Sequence, residues 1–258
     1  LVLSPKGHVE HALHLVDDGV TTWISAEPGT GAALTGWLRS MQFMLRVETL
    51  DRTEEFAVIG EPVASESVDG EPPAWRDPWP SVSPGSVSYA QVPDAEHPGA
   101  ERAWREVIVA RDTLDAAIGD RPLAGTWAAE ALRVAAWRPR LGFETDHRTI
   151  PHEVDWLRTA VHLTKGCYRG QETVARVHNL GRPPRRLVML HLDGSGHLLP
   201  AQGSDVMDGD RRVGHLTTVA RHHELGPIGL ALVKRNLATH AVLDIDGVSA
   251  AQEVVVRP

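Results

Sequence analysis

The residues best equipped for chemistry lie in one run, Lys165-Gly-Cys-Tyr-Arg-Gly-Gln-Glu172. It holds the chain's single cysteine, Cys167. A cation beside a thiol favours the thiolate, the reactive form, and Lys165 and Arg169 flank this one. Gly166 and Gly170 predict tight backbone turns that would present the thiol. Gln171 and Glu172 add acceptors, and Tyr168 an aromatic wall. The run has a plainer reading too, because a lone cysteine often serves as a small buried hydrophobe. One thiol excludes an intrachain disulfide and a four-thiolate cluster held by this chain alone.

Two other groups invite chemical readings. His8, His11 and His14 recur every three residues around Glu10. On a strand His8 and His14 share a side and His11 faces the other, and neither HExxH nor HxH is present, so no metal site is expected. Gly29-Thr30-Gly31 is followed by no Lys-Ser/Thr, so a helix start is preferred to a phosphate loop.

These residues need elements to hold them. The chain has 258 residues, 42% apolar and 23% charged, an ordinary globular balance. Its net charge of −8 lacks the electrostatic footprint of nucleic-acid binding. No apolar run approaches the ~20 residues of a membrane span, and no signal peptide is seen, which makes the cytoplasm the expected compartment. The chain opens on Leu1 in a strand-like run, which suggests that the start of the first subdomain is missing.

Two strands are expected around a turn at Ser4–Gly7, with a further strand-like stretch at Val20–Ser25. Ala32, Ala33, Leu34, Trp37, Leu38, Met41 and Leu45 keep helical spacing. Val47–Gly60 reads as a strand pair, and residues 61–100, rich in proline, as loop with short strands in which Trp75 and Trp79 pack onto something. A strand at Trp104–Ala110 and a short helix at Arg111–Ile118 follow. Thr126–Trp137 reads as a helix with Trp127, Ala131, Leu132, Ala135 and Ala136 as its core stripe. Beyond Arg182-Pro-Pro184 the character changes to short strands at Val188–Leu192, Arg212–Val219, Gly229–Val233 and Ala241–Ile245. Asp193-Gly194 and Asp208-Gly209 act as hairpin signals. This pattern predicts a small antiparallel barrel or sandwich and a domain boundary near residue 183.

The octapeptide Lys165–Glu172 resembles the signature of the YgfZ family of folate-binding proteins, relatives of the T-protein (aminomethyltransferase) of the glycine cleavage system. Glu130-Ala-Leu-Arg133, Arg138-Pro-Arg-Leu-Gly142 and Thr149-Ile-Pro-His-Glu153 resemble the family's upstream order. Val213-Gly-His-Leu-Thr-Thr218 and Ile228-Gly-Leu-Ala-Leu232 resemble its C-terminal barrel. The similarity runs from Leu3 onward. It implies an α+β fold: two related α+β subdomains with antiparallel sheets over residues 1–182, and an antiparallel β-barrel over 183–258, around a folate-sized channel.

The resemblance also implies a role in iron–sulfur cluster synthesis or repair, with tetrahydrofolate or a one-carbon derivative as ligand and iron–sulfur proteins or their assembly machinery as partners. Neither nucleic acid nor membrane is implied. Cys167 and Lys165 become the candidate catalytic pair, on a motif loop formed by Gly166, Tyr168, Gly170, Gln171 and Glu172. A pterin edge suits a carboxylate, for which Glu144, Asp146 and Glu153 are near in sequence. A folate's glutamate tail suits arginine, for which Arg133 is the first choice and Arg140 a second. Trp137 is a candidate to flank the ring.

Three features favour the YgfZ type over the transferases. An Asp-Asp pair of the transferases is replaced by Glu10-His11. Their Leu-Arg-Leu-Glu-Ala-Gly segment reads Leu132-Arg133-Val-Ala-Ala-Trp137, with Ala135 for Glu and Trp137 for Gly. The transferases also lack the cysteine. The alternatives are a tetrahydrofolate-dependent aminomethyltransferase of one-carbon metabolism, and a non-catalytic module that has lost its ligand.

Overall fold

The computed structural model describes residues 1–65, 71–196 and 198–258. The loop expected over 66–70 therefore lies outside the described residues. The elements are β1 (Val2–Leu3), β2 (Val9–His11), β3 (His14–Asp17), β4 (Thr22–Ser25), α1 (Gly31–Met41), β5 (Phe56–Glu61), β6 (Ala74–Arg76), β7 (Arg105–Ala110), α2 (Leu114–Ile118), α3 (Thr126–Ala135), α4 (Leu157–Ala160) and α5 (Gln171–Leu180). They are followed by β8 (Arg185–Leu192), β9 (Asp205–Asp208), β10 (Arg211–His222), β11 (Gly226–Lys234), β12 (Val242–Ile245) and β13 (Val248–Val254). The fold is α+β, with small sheets followed by a closed barrel.

Two compact units divide the chain. One comprises Leu1–Glu10, Pro78–Arg102 and Ala124–Pro258; the other His11–Asp77 and Ala103–Leu123. The second unit carries the β3–β4 pair and a three-stranded antiparallel sheet ordered β5-β7-β6. In it His14 stacks flat on Trp75 at 3.6 Å and bonds Glu106 at 2.8 Å. The expected single strand through the three histidines is broken at Ala12-Leu13, so its simple alternation does not apply.

The first unit carries the barrel, closed in the order β10-β11-β8-β13-β12-β9. The sequence writes it by alternation. Val188, Leu190 and Leu192 of β8 point into a core shared with Val206, Val213, Leu216, Ala231, Val233, Leu243, Ile245 and Ala250. Leu187 and Met189, on the opposite face of β8, are buried as well. Both faces of this strand are therefore covered, and it reads as a continuous apolar run.

Several local expectations change. Val47–Asp51 forms no strand; only Phe56–Glu61 does. Asp193-Gly194 closes no hairpin, because β8 pairs with β11 and β13 rather than with β9. Asp208-Gly209 turns the β9–β10 hairpin as expected, and a further hairpin between β12 and β13 is turned by Asp246-Gly247, with φ of 53° and 82°. Two consecutive positive φ values make the primed turn that suits strand twist. The core stripe of α3 holds in part: Ala131 and Ala136 are buried as expected, but Trp127 is 85% exposed and Leu132 is exposed, and Arg133 and Val134 take the interior. Placing Arg133 inside costs desolvation, and the partners described below offset it.

Candidate functional site

The cysteine octapeptide forms an exposed loop running into α5, and Cys167 itself is exposed. Two glycines set its position. Gly170, just before α5, has φ +83° and lies so close to the early turn that a Cβ would stand 2.7 Å from the Ser4 carbonyl and 2.8 Å from Gly7 Cα. Gly7, at φ +77°, presents the reciprocal face; a Cβ there would stand 2.8 Å from Thr173 Cβ. The Ser4–His8 turn, closed by backbone bonds Ser4 N–H to His8 O and Gly7 N–H to Ser4 O, thus locks against the start of α5. Gly166 differs from the expectation: nothing lies within 4 Å of a Cβ built there, and its backbone is not left-handed.

Side chains complete the lock. Arg169 Nη1 bonds Glu10 Oε2 at 2.9 Å, joining the octapeptide to β2. The Tyr168 N–H donates to Gln171 Oε1 at 3.0 Å. Glu172 is exposed in the first turn of α5, where an acid complements the helix dipole. Lys165 Nζ sits 5.1 Å from the centre of the Tyr168 ring, a cation–π distance. Burial pushes the Tyr168 phenol up.

The other candidates gather in the buried network around Arg133. Its Nη1 bonds Glu144 Oε2 at 2.8 Å and the Arg138 carbonyl at 2.6 Å. Its Nη2 bonds Glu130 Oε2 and Thr218 Oγ1, each at 2.9 Å, and its Nε reaches both Glu130 oxygens. Burial works against the Arg133 charge, but Glu144 and Glu130 together hold its pKa above the ordinary value. Burial likewise opposes the Glu130 charge, and the hydrogen bond and charge of Arg133 outweigh it, leaving that carboxyl below its usual range. Arg140 Nη1 reaches Glu130 at 3.1 Å, and its guanidinium lies 4.4 Å from the Phe143 ring centre, half-buried. Trp137 is 1% exposed, donates to Met189 Sδ at 3.0 Å and meets the His97 ring edge-on.

A pterin does not fit Glu144, Arg133 or Trp137. Glu144 is wholly buried and already accepts from Arg133, the Arg140 N–H at 2.9 Å and Thr218, with the Thr217 hydroxyl shared between it and the Leu230 carbonyl. Arg133 has every guanidinium nitrogen engaged, and Trp137 is enclosed by protein. The departure from the expectation has a plain cause: the carboxylate finds its partners inside the chain. Arg140 is the member of the set that reaches the surface.

Residues that sequence reasoning passed over also stand out. His97 is buried against Trp79 and Trp137, and burial, with the Arg158 charge, pushes its pKa down to about 3. His152 is buried with both ring nitrogens unpartnered, and burial pushes it down to about 4. Trp79, expected to pack, does so and donates to the Ala136 carbonyl at 2.9 Å. Thr217 and Thr218 lie inside a segment the resemblance had marked, but nothing in their spacing announces a carboxylate 73 residues away.

Among the described residues, no group of three or more His, Cys, Asp or Glu is placed to hold a metal ion. Nor is any helix among them long and apolar enough to cross a membrane.

The barrel carries the clearest similarity to known proteins. Residues 185–258 match the glycine cleavage T-protein C-terminal barrel domain. A protein of Arabidopsis thaliana named "Putative transferase At1g60990, chloroplastic" is 29% identical over 146 residues. That match covers 55% of this chain and 30% of the relative, so the chain spans less than a third of that protein's length in the aligned region. The similarity is thus to a barrel domain of the glycine cleavage T-protein and, more distantly, to a protein named as a transferase.

Proposed function

We propose that this chain is a tetrahydrofolate-binding protein of the YgfZ type that supports iron–sulfur cluster assembly or repair in the cytoplasm. The observation that carries the reading is the exposed Cys167 loop, held in place by the Gly7–Gly170 contact and the Arg169–Glu10 pair. A packing cysteine would be inside; this one is presented to solvent on a braced turn. Its thiolate would attack a one-carbon unit as the carrier nitrogen leaves, or take the outer sulfur of a partner's persulfide as the partner's thiolate leaves, or hold iron transiently. Lys165 lies over the Tyr168 ring, Tyr168 walls the loop, and Gln171 pins it. Tetrahydrofolate supplies a one-carbon carrier when bound. Arg140, at the surface, is the arginine suited to its glutamate carboxylates. Iron–sulfur proteins or their assembly factors are the proposed partners.

The transferase in the relative's name favours a second reading, an aminomethyltransferase of one-carbon metabolism. Against it, the Glu10 carboxylate that would assist transfer is engaged by Arg169. Calorimetric titration with tetrahydrofolate tests the ligand, and iron–sulfur enzyme assays in a deletion strain test the role. Turnover of an aminomethylated carrier protein would establish the second reading instead. No binding and no complementation would leave a module without ligand.

A further inference from the structure

We infer that Glu144 and Arg133 form a closed clamp between the loop after α3 and barrel strand β10, and that this clamp takes no part in ligand recognition. All its members lie in one compact unit. Three independent features support it.

The first is saturation. Glu144 Oε2 accepts from the Arg133 guanidinium and the Arg140 N–H, and Oε1 is within bonding distance of both threonine hydroxyls. A carboxylate offers about four lone-pair sites; Arg133, the Arg140 N–H and Thr218 address three of them, and the single Thr217 proton lies between Oε1 at 2.9 Å and the Leu230 carbonyl at 2.8 Å. The carboxylate is wholly buried among these groups, and no edge of it is open to the two-point grip of an amidine.

The second is the strand itself. Consecutive residues of a regular strand face opposite sides. Between β10 and β11 the register slips at Thr217: Leu216 pairs with Ala231 and Thr218 with Leu230. This bulge lets Thr217 and Thr218 bring both hydroxyls to one carboxylate while Leu216 stays in the barrel core. Bulges re-aim side chains, and this one is aimed at Glu144. Gly229 gives it room, since a Cβ there would stand 2.8 Å from the Thr218 carbonyl and 2.9 Å from Leu216 Cδ1.

The third is closure from the helix side. Glu130, three residues before Arg133 on α3, occupies the guanidinium edge left free by Glu144. A ligand carboxylate would have to displace it. The cluster is thus internally paired and hydrogen-bonded, as a buried charge must be.

The test uses the full chain with Thr218→Val and Glu144→Gln, read by thermal unfolding, hydrogen–deuterium exchange and tetrahydrofolate titration. Thr218→Val removes one donor to Glu144 and keeps the test open should Glu144→Gln fail to fold. The clamp predicts a Tm lower by about 3 °C or more. It also predicts exchange faster by about tenfold in 138–149 and 216–219, with tetrahydrofolate affinity unchanged within about twofold. An affinity loss of about tenfold with unaltered Tm and exchange would overturn it. The ligand arm rests on the proposed folate reading. If the wild-type chain binds no tetrahydrofolate, that reading fails, while the clamp is still decided by exchange: local acceleration supports it and unchanged protection overturns it.

Discussion

Gly170 shows how one missing Cβ places a functional loop. Its positive φ and its contact with Ser4 and Gly7 leave no space for a side chain. Gly170→Ala should lose about 1–3 kcal/mol of stability in chemical denaturation, from left-handed strain and backbone collision. Gly166→Ala, with open space around it, should stay within about 0.5 kcal/mol. Equal effects would refute the lock. The octapeptide is legible in the sequence because its residue types are unusual together. The separation of its two glycines into one required and one permissive is not, since it depends on a turn more than 150 residues away. Glu144 repeats the lesson: its type suggests a ligand grip, and only its burial and its donors Arg133, the Arg140 N–H and Thr218 show an internal use.

Two residues also set a pH dependence. Unfolded histidines titrate near ~6.5, whereas His97 and His152 are held down to about 3 and about 4. Below ~6.5 the unfolded chain therefore binds more protons than the folded one, and stability falls as pH drops, until each folded pKa is reached. Denaturation at pH ~5 should show about 2 kcal/mol less stability per histidine than at pH ~7, at about 1.36 kcal/mol per pKa unit. His152→Leu should remove its share of that slope. A flat profile over this window would contradict buried neutral rings.

At the scale of elements, the barrel strands are readable because alternation and turn residues agree. The misplaced features have physical causes. Asp193-Gly194 has hairpin chemistry but no antiparallel neighbour to follow it, while Asp246-Gly247 has both. Gly247, at φ 82°, should tolerate alanine poorly, with a cost of about 1 kcal/mol or more in the same assay. In α3 the periodic apolar residues suggest one face, yet Arg133 and its acids claim the interior and turn Trp127 outward. Trp127→Ala is accordingly expected to change stability by less than about 0.5 kcal/mol. A loss of several kcal/mol would mean that this tryptophan is covered.

At the scale of the whole molecule, the closed barrel over β8–β13 coincides with the segment that matches the glycine cleavage T-protein C-terminal barrel domain, and the proposed YgfZ-type role rests on the octapeptide outside it. Fold alone does not choose a chemistry, and the proposed one rests on the braced, solvent-facing thiol. The measurement that bears most directly on it is iron–sulfur enzyme activity in a strain lacking this protein, supplied with either the wild-type chain or Cys167→Ser at equal abundance. Restoration by wild type and failure of Cys167→Ser is the predicted result. Full restoration by Cys167→Ser would contradict the cysteine's role.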